Sequence, residues 1–186
     1  MVPIMALWLP IVLSAVIVFL VSSVIHMMLK YHSTDFAKLP SEDAAMDALR
    51  PLNIPPGDYM MPFAGGSEGM KSPEFKAKLN KGPVAVMTVM KTGAWNMGSS
   101  LIQWFIYLLV VGLFTAYLTG RSLPRGTDYL HVFRIAGCAA FLGYALALWQ
   151  DTIWYKKKWS TTLKNTFDGL VYALMTAGTF GWLWPR

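Results

Sequence analysis

Apolar residues dominate long stretches of the chain and leave the polar ones in the gaps between. Met1 to Leu29 contains no Asp, Glu, Lys or Arg, and neither does Thr92 to Gly120. Each run exceeds the roughly 20 residues a helix needs to cross the hydrocarbon layer. Two shorter runs follow, Leu130 to Gln150, interrupted by His131 and Arg134, and Thr166 to Pro185, interrupted by Asp168. The pattern predicts an all-α membrane protein of four transmembrane helices at approximately 4–29, 97–119, 130–150 and 166–185. An appendage at 30–96 separates the first two. The first run lacks a leading Lys or Arg, exceeds a signal-peptide core and has no clear small-residue cleavage site, so it is expected to stay as an anchor, with Pro10 a candidate kink.

Within the appendage the patterning changes. SEDAAMDALRP predicts a short helix with Ser41 as N-cap, acidic Glu42 and Asp43 in the first turn and Pro51 as terminator. SPEFKAKLNKGP predicts another, with Ser72 capping, Pro73 in the first position and Gly82-Pro83 ending it. Phe75 and Leu79 share one of its faces, suited to resting on a membrane surface. NIPPGDYMMPFAGG reads as turn and extended chain, and PVAVMTVM as a strand with no evident partner.

Small residues recur at every fourth position inside the apolar runs. Gly169, Ala173, Ala177 and Gly181 form one stripe, Gly112, Ala116 and Gly120 a second, Ala139, Gly143 and Ala147 a third. Such stripes let helix backbones approach closely in lipid, where dispersion replaces water exclusion as the driving force. Spacing alone leaves open whether the partner helix belongs to the same chain or to another subunit.

Composition agrees with the membrane reading: 55% of the 186 residues are hydrophobic, and the mean hydropathy is +0.42. The net charge of +6 would suggest nucleic acid in a soluble chain, but the cations flank the spans, where they orient the chain and meet anionic lipid. Lys30, Lys38, Lys78, Lys81, Lys91, Lys156, Lys157, Lys158 and Lys164 lie on one side, Arg121, Arg125 and Arg186 on the other. The bias predicts loops 30–91 and 151–165 on the cytoplasmic side and both termini on the opposite side, which is the periplasm if the host is bacterial. Trp95, Trp149, Trp154 and Trp159 fit one interfacial belt and Trp8, Trp182 and Trp184 the other, with Trp104 inside a span. The single cysteine, Cys138, excludes an intramolecular disulfide.

Candidate chemistry is sparse. Asp128, His131 and Arg134 share a helical face, and with Arg121 and Arg125 they form a candidate site for an anion or a lipid headgroup, against a simpler reading as interfacial charge. At the opposite mouth Asp151, Asp168, Tyr172 and WYKKKW read as lipid anchoring. Haem ligation is disfavoured because His26 and His131 fall at opposite ends of the bilayer, while His26 and His32, six apart, do not face each other on one helix. Met27, Met28, Met60 and Met61 raise Cu(I), but gap-filling is the commoner use of methionine. No G-x-S-x-G, H-E-x-x-H, C-x-x-C or phosphate loop occurs, so no catalytic residue, cofactor or metal ligand is assigned.

HVFRIAGCAAFLGYALALW, DTIWYKKKW and DGLVYALMTAGTFGWLWP, with PPGDYMMPF and KGPVAV, resemble a family of small proteobacterial inner-membrane proteins. The resemblance implies four membrane helices and carries no chemistry. The expected function is non-enzymatic, that of an accessory or assembly subunit acting through helix packing with other membrane subunits or itself. The alternative is a small oligomeric permease or channel.

Overall fold

The computed structural model describes residues 1–93 and 96–186. Trp95, expected in an interfacial belt, lies outside the described residues. In chain order the elements are a 3-10 turn at Ile4–Leu7, α1 (Trp8–Met28), a 3-10 turn at Lys30–Thr34, α2 (Glu42–Leu49), a 3-10 turn at Arg50–Leu52 and β1 (Gly57–Met61). There follow α3 (Ser67–Lys71), α4 (Pro73–Lys81), β2 (Ala85–Val89), α5 (Met97–Ser122), α6 (Tyr129–Tyr144), a 3-10 turn at Leu146–Leu148, α7 (Trp149–Tyr155) and α8 (Trp159–Trp182). The chain forms two compact units, Met1–Phe36 with Asn96–Arg186, and Ala37–Trp95.

In the first unit three segments are long and apolar enough to cross a membrane: Ile4–Met28, Met97–Ser122 and Tyr129–Tyr155. The predominantly helical architecture agrees with the apolar patterning, but α8 does not join them: its first part, WSTTLKNTFD, is polar, and only the remainder is apolar. It also starts at Trp159, well ahead of the expected 166, so Asp168 lies well inside a helix rather than at its entrance. Pro10 is the third residue of α1, where its missing N–H would lack an intrahelical partner anyway, and it costs the helix no bond. Asn96 caps α5 by accepting from the Ser99 amide at 3.3 Å, and Asp128 caps α6 by accepting from the amides of Leu130 and His131.

α8 packs on α6 and α1, and α5 packs on α1 and α6. Small residues set the approach. A Cβ on Gly169 would lie 2.8 Å from the Ala145 Cβ, one on Gly137 3.2 Å from the Ala177 Cβ, and one on Gly181 2.7 Å from the Tyr129 ring. Gly143 faces Val111, Gly112 faces Ile11, and Gly120 meets the Val2 carbonyl, while Ala116, Ala173 and Ala177 are buried. All of these contacts are within the chain. Ala147 is exposed: α6 breaks at Ala145 (φ −125°, ψ −50°), which throws the third stripe off register after Gly143.

Around an apolar core this unit also buries hydroxyls and turns large apolar side chains outward. Ser14, Ser22, Thr115, Thr119, Thr176 and Thr179 are buried, whereas Leu20, Ile102, Ile106, Phe114, Leu142 and Leu174 point outward. Of these, the hydroxyls on α1 and α8 are satisfied locally, as Thr176 donates to the Tyr172 carbonyl at 2.9 Å and Ser14 to that of Ile11 at 3.1 Å. Trp184 is tucked in at 7% exposure, its indole donating to the Pro124 carbonyl at 3.0 Å. Trp182 does face outward.

In the second unit Ser72 caps α4 by accepting from the Phe75 amide at 3.1 Å, whereas Ser41 precedes α2 without a side-chain cap bond. The strand expected at 83–90 is β2, and its partner is β1, paired antiparallel with Gly57 opposite Val89 and Met61 opposite Ala85. Asp58 accepts from Thr88 across the pair at 2.6 Å. None of the described residues between Ala37 and Gly93 is buried.

Candidate functional site

The most concentrated polar chemistry in the first unit lies where α1 ends and α8 begins. α1 stops at Met28, and Leu29 turns to extended backbone (φ −89°, ψ 124°). The 3-10 turn that follows folds His32 back onto His26, their rings stacked with centroids 4.7 Å apart and planes 14° from parallel. Helical spacing could not show this contact, because it depends on the chain leaving the helix between the two residues.

His32 bridges two carboxylates. Its Nδ1 lies 2.6 Å from Asp35 Oδ2 and its Nε2 2.8 Å from Asp168 Oδ2. The imidazole thus spans the two carboxylates, one at each ring nitrogen. Asp168 is almost fully buried at 2% exposure, and its Oδ1 accepts from the Tyr31 hydroxyl. Asp35 Oδ1 accepts from Lys164 Nζ at 2.8 Å and Thr161 at 3.3 Å, and Lys164 also donates to Thr34 at 2.9 Å. His32 and Lys164 thus tie the two acids into a network joining Tyr31–Asp35 to α8.

The surroundings shift two of these groups. Burial and then the hydrogen bond to Asp168 push the Tyr31 phenol well above its usual ionisation, so it remains a donor. Burial works against ionisation of Asp35, but hydrogen bonds from Lys164 and His32 outweigh it and hold the carboxyl below the ordinary carboxylate range.

His26 adds an uncommitted ligand. Its Nδ1 lies 3.1 Å from the Ser22 carbonyl; a carbonyl can only accept, so Nδ1 carries the proton and Nε2 the lone pair. His26, His32 and Asp168 each bring one ligand atom within 4.8 Å of the other two. Nearby, the half-buried Trp104 donates to Ser22 Oγ at 3.0 Å and packs edge-on against the buried Tyr172.

The residues singled out from sequence are distributed differently. Arg121 covers the Tyr117 ring at 5.8 Å. His131 pairs with the capping Asp128. Arg125 and Arg134 are exposed, as is Cys138. At the other mouth, Asp151 pairs with Lys157 at 2.6 Å on the surface, while Asp168 and Tyr172 turn inward. Sequence reasoning missed Tyr31, His32 and Asp35. The available signal was an isolated acid, Asp168, in an otherwise apolar run, which demands a buried cationic partner. No protein-family model, curated protein or solved structure matches the chain.

Proposed function

We propose that the chain is a four-span protein of a bacterial inner membrane that serves as a non-catalytic accessory or assembly subunit, presenting its 37–95 unit to a protein partner. The carrying observation is the bare unit itself: helices and a paired sheet in which no described residue is buried. A segment of this size gains little stability from so thin a core, and a two-stranded sheet in water is marginal. Met60 and Val86 form an exposed apolar cross-strand pair, with Phe63 and Val84 also exposed beside them in sequence. Both strands have an unpaired edge in the two-stranded sheet. A partner strand or apolar patch would complete such a surface.

The outward apolar side chains of the first unit support counting α8 as a fourth span, since its Leu170, Leu174 and Met175 would meet lipid while Thr162, Thr176 and Thr179 are buried. The lysine bias supports a cytoplasmic position for the 37–95 unit, and the likeness to proteobacterial inner-membrane proteins is consistent with that compartment.

Cross-linking in native membranes through Lys76, Lys78 and Lys81, read by mass spectrometry, tests the proposal. Reproducible links to one larger membrane complex, lost when Met60 and Val86 are both changed to Ser, are expected. Links confined to copies of the chain, together with solute flux in liposomes, would favour an oligomeric permease instead. Lipid-only contacts would also overturn the proposal.

A further inference from the structure

We propose that His26, His32 and Asp168 form a binding site for one divalent transition-metal ion at the α1–α8 end of the bundle. The donor set is two imidazoles and one carboxylate, which suits Zn²⁺ or Fe²⁺ and leaves coordination positions open for water. Nitrogen donors disfavour Mg²⁺ and Ca²⁺, which take oxygen ligands.

The arrangement around the donors is that of a supported metal site. Metal-binding histidines almost always use their second ring nitrogen to hold a carboxylate or a backbone carbonyl. Both histidines do so: His32 Nδ1 holds Asp35 and His26 Nδ1 holds the Ser22 carbonyl. The Tyr31 hydroxyl fixes the second oxygen of Asp168. A purely structural tie between the 3-10 turn and α8 accounts for Asp35, Lys164 and His32, but gives His26 no task. His26 lies outside that network, stacked on His32, with its lone pair free.

Distances permit the ion. Metal–ligand bonds of 2.0–2.1 Å place tetrahedral ligand atoms about 3.3 Å apart. His32 Nε2 and Asp168 Oδ2, at 2.8 Å, need to open by about 0.5 Å, and with all three ligand atoms within 4.8 Å of one another His26 needs to close by at most about 1.5 Å. His26 is exposed, free to adjust, and gives the ion an entry route. The incoming cation takes the place of the Nε2 proton that His32 shares with Asp168, and that proton passes to solvent.

The test uses the full chain in detergent, purified without a histidine tag and stripped with chelator. It is titrated with Co²⁺ by absorption spectroscopy and then with Zn²⁺ in competition. One equivalent is expected, with Zn²⁺ displacing Co²⁺ and X-ray absorption of the Zn²⁺ form showing nitrogen and oxygen ligands but no sulfur. Because His26 is outside the buried network, His26→Gln should leave helicity and thermal stability unchanged while weakening binding more than about 100-fold; Asp35→Asn, which removes an orienting partner, should weaken it about 10- to 100-fold. His131→Gln should have no effect. No uptake of either ion, a sulfur ligand, or undiminished binding by His26→Gln would overturn the site.

Discussion

Replacing Gly169 by Ala sets two effects of known sign against each other. In a helix interior Ala is favoured over Gly by about 0.5–1 kcal/mol, since the backbone has less freedom to lose. The new methyl group, however, would lie 2.8 Å from the Ala145 Cβ and 3.2 Å from the Tyr144 carbonyl oxygen, contacts with backbone and a Cβ that cannot rotate away. α8 would have to shift off the break between α6 and α7, and overpacking of that kind costs about 1–3 kcal/mol. Gly178 is the control on the same helix: there the nearest atom to an added Cβ, outside the helix's own backbone, is Tyr129 Oη at 3.6 Å, an ordinary contact. Both variants receive the same helical gain, so their difference isolates the clash at roughly 2 kcal/mol. For a chain of this length that corresponds to about 4–8 °C in midpoint temperature. Thermal unfolding in one mild detergent, followed by tryptophan fluorescence, should place Gly169→Ala below Gly178→Ala by that margin. Adding Ala145→Gly should recover part of the loss. Equal midpoints for the two variants would show that α8 is not seated against Ala145, and the packing described for α6 and α8 would be wrong.

Asp35 has its carboxyl held below the usual range, so its contribution is fully present above the unfolded value of about 3.9 and is lost as pH falls through the lower folded one. Hydrogen exchange of residues 30–36 should accelerate in that acid window in the native protein, and Asp35→Asn should exchange fast at every pH. Trp184→Phe removes the indole bond to Pro124 and should cost about 1 kcal/mol; exchange at the Gly126 amide, which donates to the Pro185 carbonyl at 2.9 Å, should rise with it. Ser72→Ala removes the cap on α4 and should cost that helix about 1 kcal/mol, seen as faster amide exchange at Phe75 with no change in α5 or α8.

Elements with a local physical cause were legible in the chain. α1 and α5 follow from uninterrupted apolar runs, and α4 from Ser72, Pro73 and Gly82 at its ends. What the sequence concealed depends on breaks in regular structure. Pro55, Pro56 and Pro62 around GDYMM disguise β1, because flanking prolines mark turns as readily as they bound a strand. Ala145 carries no breaker signature, yet α6 ends there, against the closely approaching Gly169. His32 is the strongest case: six positions from His26, it is misplaced by any helical wheel and stacks only because the chain turns at Leu29.

The same break explains why the chemistry gathers at one end of the bundle. A carboxylate as deeply placed as Asp168 would be costly in a helix facing lipid or apolar side chains, since an unpaired buried charge is among the least favourable arrangements available. Extending α1 past Met28 would carry His32 on along the helix axis, leaving Asp168 without its imidazole. By leaving the helix at Leu29, the chain brings Tyr31 and His32 to both oxygens of Asp168, and Asp35 then requires Lys164 to balance the second acid. Each side chain in the network is therefore explained by the need to neutralise the one before it, beginning from Asp168. His26 alone stands outside this chain of contacts, and an imidazole held at Nδ1 by the Ser22 carbonyl beside His32 and Asp168 is placed as a ligand rather than as one more tie.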